Sequence, residues 1–201
     1  GPHLATEETG IPLMAAIPEA RRALEDVGLA DEVDLVVAGG IRNGGDVAKC
    51  LALGAKAVAL GTAALMALNC NKHIEGVTDY EGTIGVPAGE CYHCHTGRCP
   101  VGVATQDVEL RARLDVEEAA LRVYNYLHTL TMEVQLLARA CGKTNIHSLE
   151  PEDLAALTHE ASAMAKVPLA GTTYIPGVSE ERALQEMKDM MAKQLAESGR
   201  N

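Results

Sequence analysis

The chain has 201 residues, enough for one domain or two small ones, and 47% apolar residues without Trp or Phe predict an aliphatic core. Its formal net charge of −11 argues against nucleic acid as a partner, because phosphates require a positive protein surface. No apolar run reaches the ~18 residues of a membrane span and no secretory signal is visible, so we expect no membrane contact and a cytoplasmic location.

The first region, residues 1–69, alternates apolar stretches of helical spacing with short apolar, β-branched stretches. The predicted elements are a helix over 13–27, a strand over 33–38, a helix over 44–53, a strand over 56–60 and a helix from 63. Buried strands that alternate with short helices are typical of a parallel α/β sheet.

Two glycine-containing pairs end the predicted strands: Gly39–Gly40 after the first and Gly61–Thr62 after the second. In parallel α/β folds ligands bind at the carboxyl ends of strands, and glycine lets backbone N–H groups approach an anion. Arg42 lies just beyond the first pair and adds a positive charge. Ordinary strand-end glycines are the alternative, but two pairs one βα unit apart favour a phosphate site.

The second region, residues 70–106, is rich in Gly, Pro, Cys and His. Cys91, Cys94 and Cys99 form a C-x2-C-x4-C pattern that Pro100 follows. Thiolates at this spacing can converge on one metal centre, and Pro also follows the last Cys of some ferredoxin cluster motifs. The pattern therefore predicts a redox metal loop, with an iron–sulfur cluster favoured.

Two other interpretations of this loop stay open. Zinc is one, with His93 or His95 completing a tetrahedral site, although a second C-x2-C is missing. Unrelated thiols are the other. Cys70 is a fourth candidate ligand, whereas Cys50 and Cys141 lie in apolar helical patterns and are expected to be buried thiols. Without an export signal, a disulfide framework is not expected.

The third region, residues 107–201, is predicted to be helical. Its expected elements are a helix over 115–141 with Asp115 as N-cap and Glu118 as capping-box partner, a short helix capped by Ser148, a turn-rich linker over 167–177, and a terminal helix from Ser179 to about 197.

Three segments together resemble the flavin domain of glutamate synthase, most closely its archaeal type. They are VVAGGIRNGGDVAKCLALGAKAVALGTAALMALNC, CHTGRCPVGVATQD and NYLHTLTMEVQLLARACG. The resemblance extends to about residue 170. It implies an FMN-binding (β/α)8 barrel with an iron–sulfur cluster, in which residues 33–40 and 56–62 match the seventh and eighth strands. Gly39, Gly40, Gly61 and Thr62 then correspond to the FMN phosphate cradle.

The resemblance also implies an activity. Members of this family make glutamate from 2-oxoglutarate and ammonia, which is usually drawn from glutamine. Electrons from a donor protein or subunit pass through the cluster to FMN, and a hydride passes to 2-iminoglutarate. No residue of this chain is a convincing general acid or base. His93 and His95 are interpreted as loop residues, which is compatible with hydride chemistry that belongs to the flavin.

The cluster pattern departs from that of the common bacterial enzymes, whose C-x5-C-x4-C cysteines hold a 3Fe–4S cluster. Cys70, Cys94 and Cys99 occupy the corresponding places here, but about eighteen additional residues follow Cys70 and Cys91 is added. Four thiolates suit a 4Fe–4S cluster, so we expect Cys70, Cys91, Cys94 and Cys99 to hold 4Fe–4S rather than 3Fe–4S.

Only the last two of eight barrel strands can be placed in this chain. The opening Gly1–Pro2–His3 is therefore interpreted as a cut end, with the remainder of the barrel as a required partner, and a tag scar is the alternative. We expect the chain alone neither to bind FMN tightly nor to turn over. The alternatives are a stand-alone iron–sulfur or zinc module for electron transfer or docking, and a flavin enzyme that acts on another amine.

Overall fold

The structure is a computed structural model that describes residues 9–74, 78, 93–178, 184–185 and 188. Within these residues the helices and strands are α1 (Leu13–Asp26), β1 (Val36–Ala38), α2 (Gly44–Ala52), β2 (Ala57–Ala59), α3 (Thr62–Ala67), α4 (Val108–Arg111), α5 (Val116–Ala140) and α6 (His159–Ala165). Short 3₁₀ turns lie at His93–Thr96, Ile146–Ser148 and Pro151–Asp153.

The two strands pair in parallel, with Val37 opposite Val58, which confirms the predicted parallel α/β arrangement. Both strands are shorter than predicted. Residues before Val36 belong to the turn that ends α1, because the Val33 N–H donates to the Leu29 carbonyl at 3.0 Å. At the start of β2, the Lys56 N–H donates to the Leu35 carbonyl at 2.8 Å and sets the register.

The core lies between α1, α2, α5 and one face of the two strands, and it is aliphatic as expected. Its most buried large side chains include Ile17 and Val134 on the flanking helices and Cys50 on α2. Ser162 is a buried polar residue whose hydroxyl donates to the Val167 carbonyl at 2.6 Å, so its burial leaves no polar atom unsatisfied.

The contact between α2 and α5 is close enough to exclude a side chain at Gly44. A Cβ there would lie 2.3 Å from Glu133 Cβ and 2.8 Å from the Leu130 carbonyl oxygen. In the actual structure the Gly44 N–H donates to Glu133 Oε2 at 2.7 Å. A carboxylate from α5 thus satisfies a backbone N–H in the first turn of α2, where negative charge is favoured.

The opposite face of the two-stranded sheet is open. Val36 is 60% exposed, and Ala38, Ala57 and Ala59, which share its face, are exposed as well. Parallel strands are normally covered on both faces, so this apolar face needs a further layer.

The long helix agrees with its prediction at both ends. Asp115 Oδ1 accepts from the Glu118 N–H at 3.0 Å, and α5 ends before Gly142, whose φ of +74° is suited to glycine. Among the described residues, no helix combines the length and apolar composition needed to cross a bilayer.

The predicted helix capped by Ser148 is wrong. Two 3₁₀ turns form instead, and Glu150, rather than Ser148, caps the second. The Lys143 ammonium pairs with Glu150 and with Asp153, so tertiary ion pairs fix the backbone of this segment. The Thr158-capped helix α6 follows and was not predicted. Residues 167–177 form the expected linker, whereas most of the predicted terminal helix lies outside the described residues.

We predict that Gly44→Ala lowers the free energy of unfolding by about 1–3 kcal/mol, because the new methyl group meets backbone atoms that cannot move aside. Gly45→Ala is the matched control on the same helix, since its Cβ would meet only the Asn43 side chain, at 3.2 Å. Urea unfolding measures both variants. Equal midpoints for the two variants would contradict the close helix contact.

The buried thiol of Cys50 makes the free energy of unfolding depend on pH in the alkaline range. Burial, with a smaller contribution from Asp46, raises the pKa of its thiol from 9.0 to about 11. As the pH rises, the thiol therefore ionises first in the unfolded protein. The contribution of Cys50 to the stability of the folded protein is complete below pH 9 and is lost as the pH rises towards 11. We predict that the stability difference between wild type and Cys50→Ala shrinks over this range by on the order of 2 kcal/mol.

Chemical unfolding at pH 9 and pH 11 tests this expectation. Cys141→Ala, which removes an exposed thiol at the end of α5, is the control and is expected to show a constant difference from wild type. A Cys50→Ala difference that is the same at both pH values would show that the Cys50 thiol does not set the dependence.

Candidate functional site

The loops that follow β1 and β2 line one cavity of about 980 Å³. It brings together all five residues predicted to hold a phosphate, which are Gly39, Gly40, Arg42, Gly61 and Thr62. They meet there because adjacent parallel strands end at the same edge of the sheet.

The backbone of the first glycine pair is suited to a close-fitting ligand. Gly39 and Gly40 have φ values of +136° and +65°, which residues with a Cβ rarely adopt. A Cβ built on either, or on Gly61, would meet no atom within 4 Å, so these backbones face open space. The site therefore fits a group that approaches the main chain directly, as a phosphoryl oxygen does.

The charges around the cavity are unlike those of the chain as a whole. Among the described residues, its lining contains two guanidinium groups, Arg42 and Arg122, and no acidic side chain. The chain itself has 28 acidic and 17 basic residues. Asp46 pairs with Arg42 from outside the lining, at 3.5 Å, whereas no ion pair of the described residues involves Arg122. A positive lining of this kind in an acidic protein favours an anionic ligand.

Two backbone donors at the N-terminus of α2 are already engaged within the protein. The Gly44 N–H donates to Glu133 Oε2 and the Asp46 N–H donates to Asn43 Oδ1, at 2.7 and 3.0 Å. The carboxylate of Asp46 in turn accepts from the Arg42 N–H at 3.0 Å. The glycine loops and side chains remain as donors for a ligand.

Helix α5 supplies a further wall, which the sequence analysis missed. Arg122, Asn125 and Tyr126 line the cavity from this helix. The Tyr126 hydroxyl donates to the Arg42 carbonyl at 3.0 Å, and Arg122 Nε donates to the Ala67 carbonyl at 3.2 Å. One helix therefore contacts both the first glycine loop and the C-terminal end of α3. Burial, followed by the charges of Asp46 and Glu133, raises the pKa of Tyr126 and keeps its phenol protonated.

The sequence contains one signal for this helix wall, which is the spacing of Arg122, Asn125 and Tyr126. Positions 122, 125 and 126 are related as i, i+3 and i+4, which places them on one face of a helix.

Cys99 has surroundings suited to a thiolate. It is 5% exposed, and burial raises the pKa of its thiol. Hydrogen bonds from the backbone N–H groups of Ala104, Val101, Val103 and Gly102 outweigh this effect and lower the pKa below its ordinary value. Convergent N–H groups of this kind stabilise sulfur ligands of metal clusters.

The other cysteines occupy different environments. Cys70 is half-buried beyond α3, and Cys94 is exposed in the turn His93–Thr96. Cys91 and the His95 side chain lie outside the described residues. Within the described part of the chain, no three His, Cys, Asp or Glu side chains are grouped closely enough to hold a metal.

The two cysteines that were expected to be buried thiols differ. Cys50 is buried as expected, but Cys141 is exposed, so the expectation of a buried thiol there is wrong.

Two hydrogen bonds connect the segment after Cys70 with the segment after Cys99. Lys72 Nζ donates to the Arg113 carbonyl at 2.6 Å, and Arg113 Nη1 donates to the Pro100 carbonyl at 2.8 Å. Arg113 thus fixes both segments against the start of α5.

Comparison with known proteins identifies the family. The model of the conserved region in glutamate synthase matches residues 1–144. The chain belongs to the glutamate synthase family. The match includes both glycine loops, the cysteine loop and all of α5, so the cavity lies entirely in the family's conserved region.

Several relatives of this glutamate synthase chain agree with that assignment. It is 54% identical over 172 residues to the glutamate synthase large subunit-like protein of Rhizobium meliloti (strain 1021), covering 85% of this chain and 38% of that protein. It is 38% identical to the archaeal glutamate synthase [NADPH] of Methanocaldococcus jannaschii and 36% identical to the archaeal-type glutamate synthase [NADPH] of Dehalococcoides mccartyi. Each of these two matches covers 74% of the chain and 26% of the relative.

The chain thus spans well under half the length of these relatives.

The matched part also includes a set of contacts that holds the backbone on the C-terminal side of the cysteine loop. The buried Thr105 hydroxyl donates to the Gly97 carbonyl and accepts from the Asp107 N–H. Gly102 has a φ of +86° and packs so closely that a Cβ would lie 2.4 Å from the Leu110 carbonyl oxygen. These contacts fix the amide groups that surround Cys99.

Proposed function

We propose that this chain carries the phosphate end of the FMN site and the cluster ligands of a glutamate synthase, which makes L-glutamate from 2-oxoglutarate and glutamine-derived ammonia. One observation carries the proposal. Two neighbouring βα loops and α5 line a cavity to which the described residues contribute two arginines and no carboxylate, in a chain of net charge −11. Such a site favours a phosphorylated ligand.

In this proposal the two strands are the last two of a (β/α)8 barrel. The open face that carries Val36 and Ala38 supports the assignment, because the inward face of a barrel strand packs against side chains from other strands. Residues 1–69 then form the last βα units, residues 70–106 the cluster loop and residues 107–201 the helical C-terminal region.

The residues at the cavity fit FMN. Gly39, Gly40 and Gly61 offer backbone without a blocking Cβ, Thr62 offers a hydroxyl, and Arg42 offers positive charge. FMN, when bound, supplies the hydride chemistry. The residues of this chain bind and orient its phosphate, and none of them is proposed as an acid or a base.

The second part of the proposal assigns Cys70, Cys91, Cys94 and Cys99 to a 4Fe–4S cluster. The amide hydrogen bonds to Cys99 and the Arg113 connection between the two segments support it. A bound cluster supplies one-electron transfer. The proposed partners are the remainder of the barrel, the substrates 2-oxoglutarate and glutamine or ammonia, and an electron-donor protein or subunit. The names of two relatives specify NADPH, which is the proposed source of those electrons.

Cofactor analysis of the protein expressed anaerobically from its complete reading frame tests the proposal. We expect FMN, iron and acid-labile sulfide in the purified protein, with glutamate formed from 2-oxoglutarate and glutamine. Cys99→Ser should lower the iron content and the EPR signal of the cluster, because it removes a thiolate ligand. Cys141→Ser, which changes an exposed thiol far along the chain, is the control and should retain both.

Three results would contradict parts of this assignment. A three-iron EPR signal that persists under strict anaerobiosis would argue against four ligands. Zinc without iron would favour the structural zinc alternative. Absence of flavin from the complete protein would exclude the FMN assignment.

The 201-residue chain alone should behave differently. We predict that it retains little FMN and forms no glutamate, because its open sheet face leaves the flavin without most of its surroundings. Flavin absorbance after gel filtration and a glutamate assay measure this. Tight, stoichiometric FMN in this chain would contradict the prediction.

A further inference from the structure

The two arginines at the cavity differ in their electrostatic surroundings. Arg42 Nε lies 3.5 Å from Asp46 Oδ2, and the same carboxylate oxygen accepts the Arg42 backbone N–H at 3.0 Å. The Arg42 side chain is 78% exposed. A neighbouring carboxylate therefore already compensates part of its charge, and solvent reaches both guanidinium groups, since Arg122 is exposed as well.

Arg122 has a different set of contacts. Its Nε donates to the carbonyl of Ala67, the last residue of α3, at 3.2 Å. None of the ion pairs in the described part of the chain involves Arg122. A guanidinium has five N–H donors, so this anchor leaves four of them for a ligand.

We infer that Arg122 is the residue that binds the phosphoryl group of the flavin, and that it makes the site select FMN over riboflavin. The inference rests on the function proposed above. Anchoring through Nε fixes the plane of the guanidinium, and the two terminal nitrogens then form a fork that matches two phosphate oxygens. The glycine loops lie across the same cavity, so the anion is held between backbone N–H groups and this fork.

The assignment also gives α5 a direct part in cofactor binding. The helix begins soon after the cysteine loop, and its Tyr126 hydroxyl holds the first glycine loop through the Arg42 carbonyl. Arg122 holds the C-terminal end of α3 through Ala67. We regard Tyr126 as a positioning residue and Arg122 as the one that contacts the ligand.

Flavin titrations of the deflavinated protein, expressed from its complete reading frame, test the inference. FMN and riboflavin differ only in the phosphoryl group, so their affinity ratio isolates contacts to phosphate. We expect Arg122→Gln to weaken FMN binding about 10–100-fold, which is the effect of losing hydrogen bonds between charged groups. Riboflavin binding should be unchanged, because riboflavin has no phosphoryl group. Arg122→Lys, which keeps the charge without the fork, should lie between wild type and Arg122→Gln.

Two matched variants accompany this measurement. Arg139→Gln makes the same change on the same helix, about 25 Å away along its axis, and should leave the ratio unchanged. Arg42→Gln should lower the ratio less than Arg122→Gln does, because Asp46 already pairs with Arg42.

Several outcomes would overturn the inference. They are equal losses of FMN and riboflavin affinity in Arg122→Gln, an unchanged ratio, and a larger loss in Arg42→Gln or Arg139→Gln. In each of these cases wild-type FMN binding would still support the proposed function. Failure of the wild-type protein to bind either flavin would contradict the proposed function itself, and the role of Arg122 with it.

Discussion

The contact between Gly44 and Glu133 is the constraint on which the described structure depends. It holds α5 against the first turn of α2 at a distance that leaves no room for a Cβ. Because α5 is in place, its residues reach the first glycine loop and the C-terminal end of α3. The position of the cavity wall is thus set by a helix contact at the edge of the βα units rather than by the sheet alone.

Two acidic side chains near the site are already engaged within the protein. Glu133 on α5 and Asp46 on α2 accept hydrogen bonds from the backbone N–H groups of Gly44 and Arg42. Asp46 also pairs with the Arg42 guanidinium, whereas Arg122 takes part in none of the ion pairs of the described residues. A strongly acidic chain can in this way present positive charge to an anion at one cavity.

Much of this arrangement follows from local patterns. The helices α1 and α2 and the strand ends were predictable, because apolar periodicity and glycine stops are local properties. Residues at adjacent parallel strand ends must meet, which is why Gly39 and Gly61 fall on one cavity. Arg122 was not predictable in this way, since helical spacing shows which residues share a face and not which cavity that face borders.

Other errors have tertiary causes. Ser148 has the chemistry of an N-cap, but ion pairs from Lys143 to Glu150 and Asp153 select two 3₁₀ turns in its segment. Cys141 fits the apolar pattern of α5, but it lies at the end of the helix, where none of the described elements covers it. Burial at a helix end depends on what packs there, and the pattern of the helix does not contain that information.

The hydrogen bonds of Arg113 have a consequence for the spacing of two cysteines. Lys72 and Pro100 are both held to Arg113, and they lie two residues beyond Cys70 and one residue beyond Cys99. A single residue therefore limits how far these two cysteines can separate, whatever group they hold.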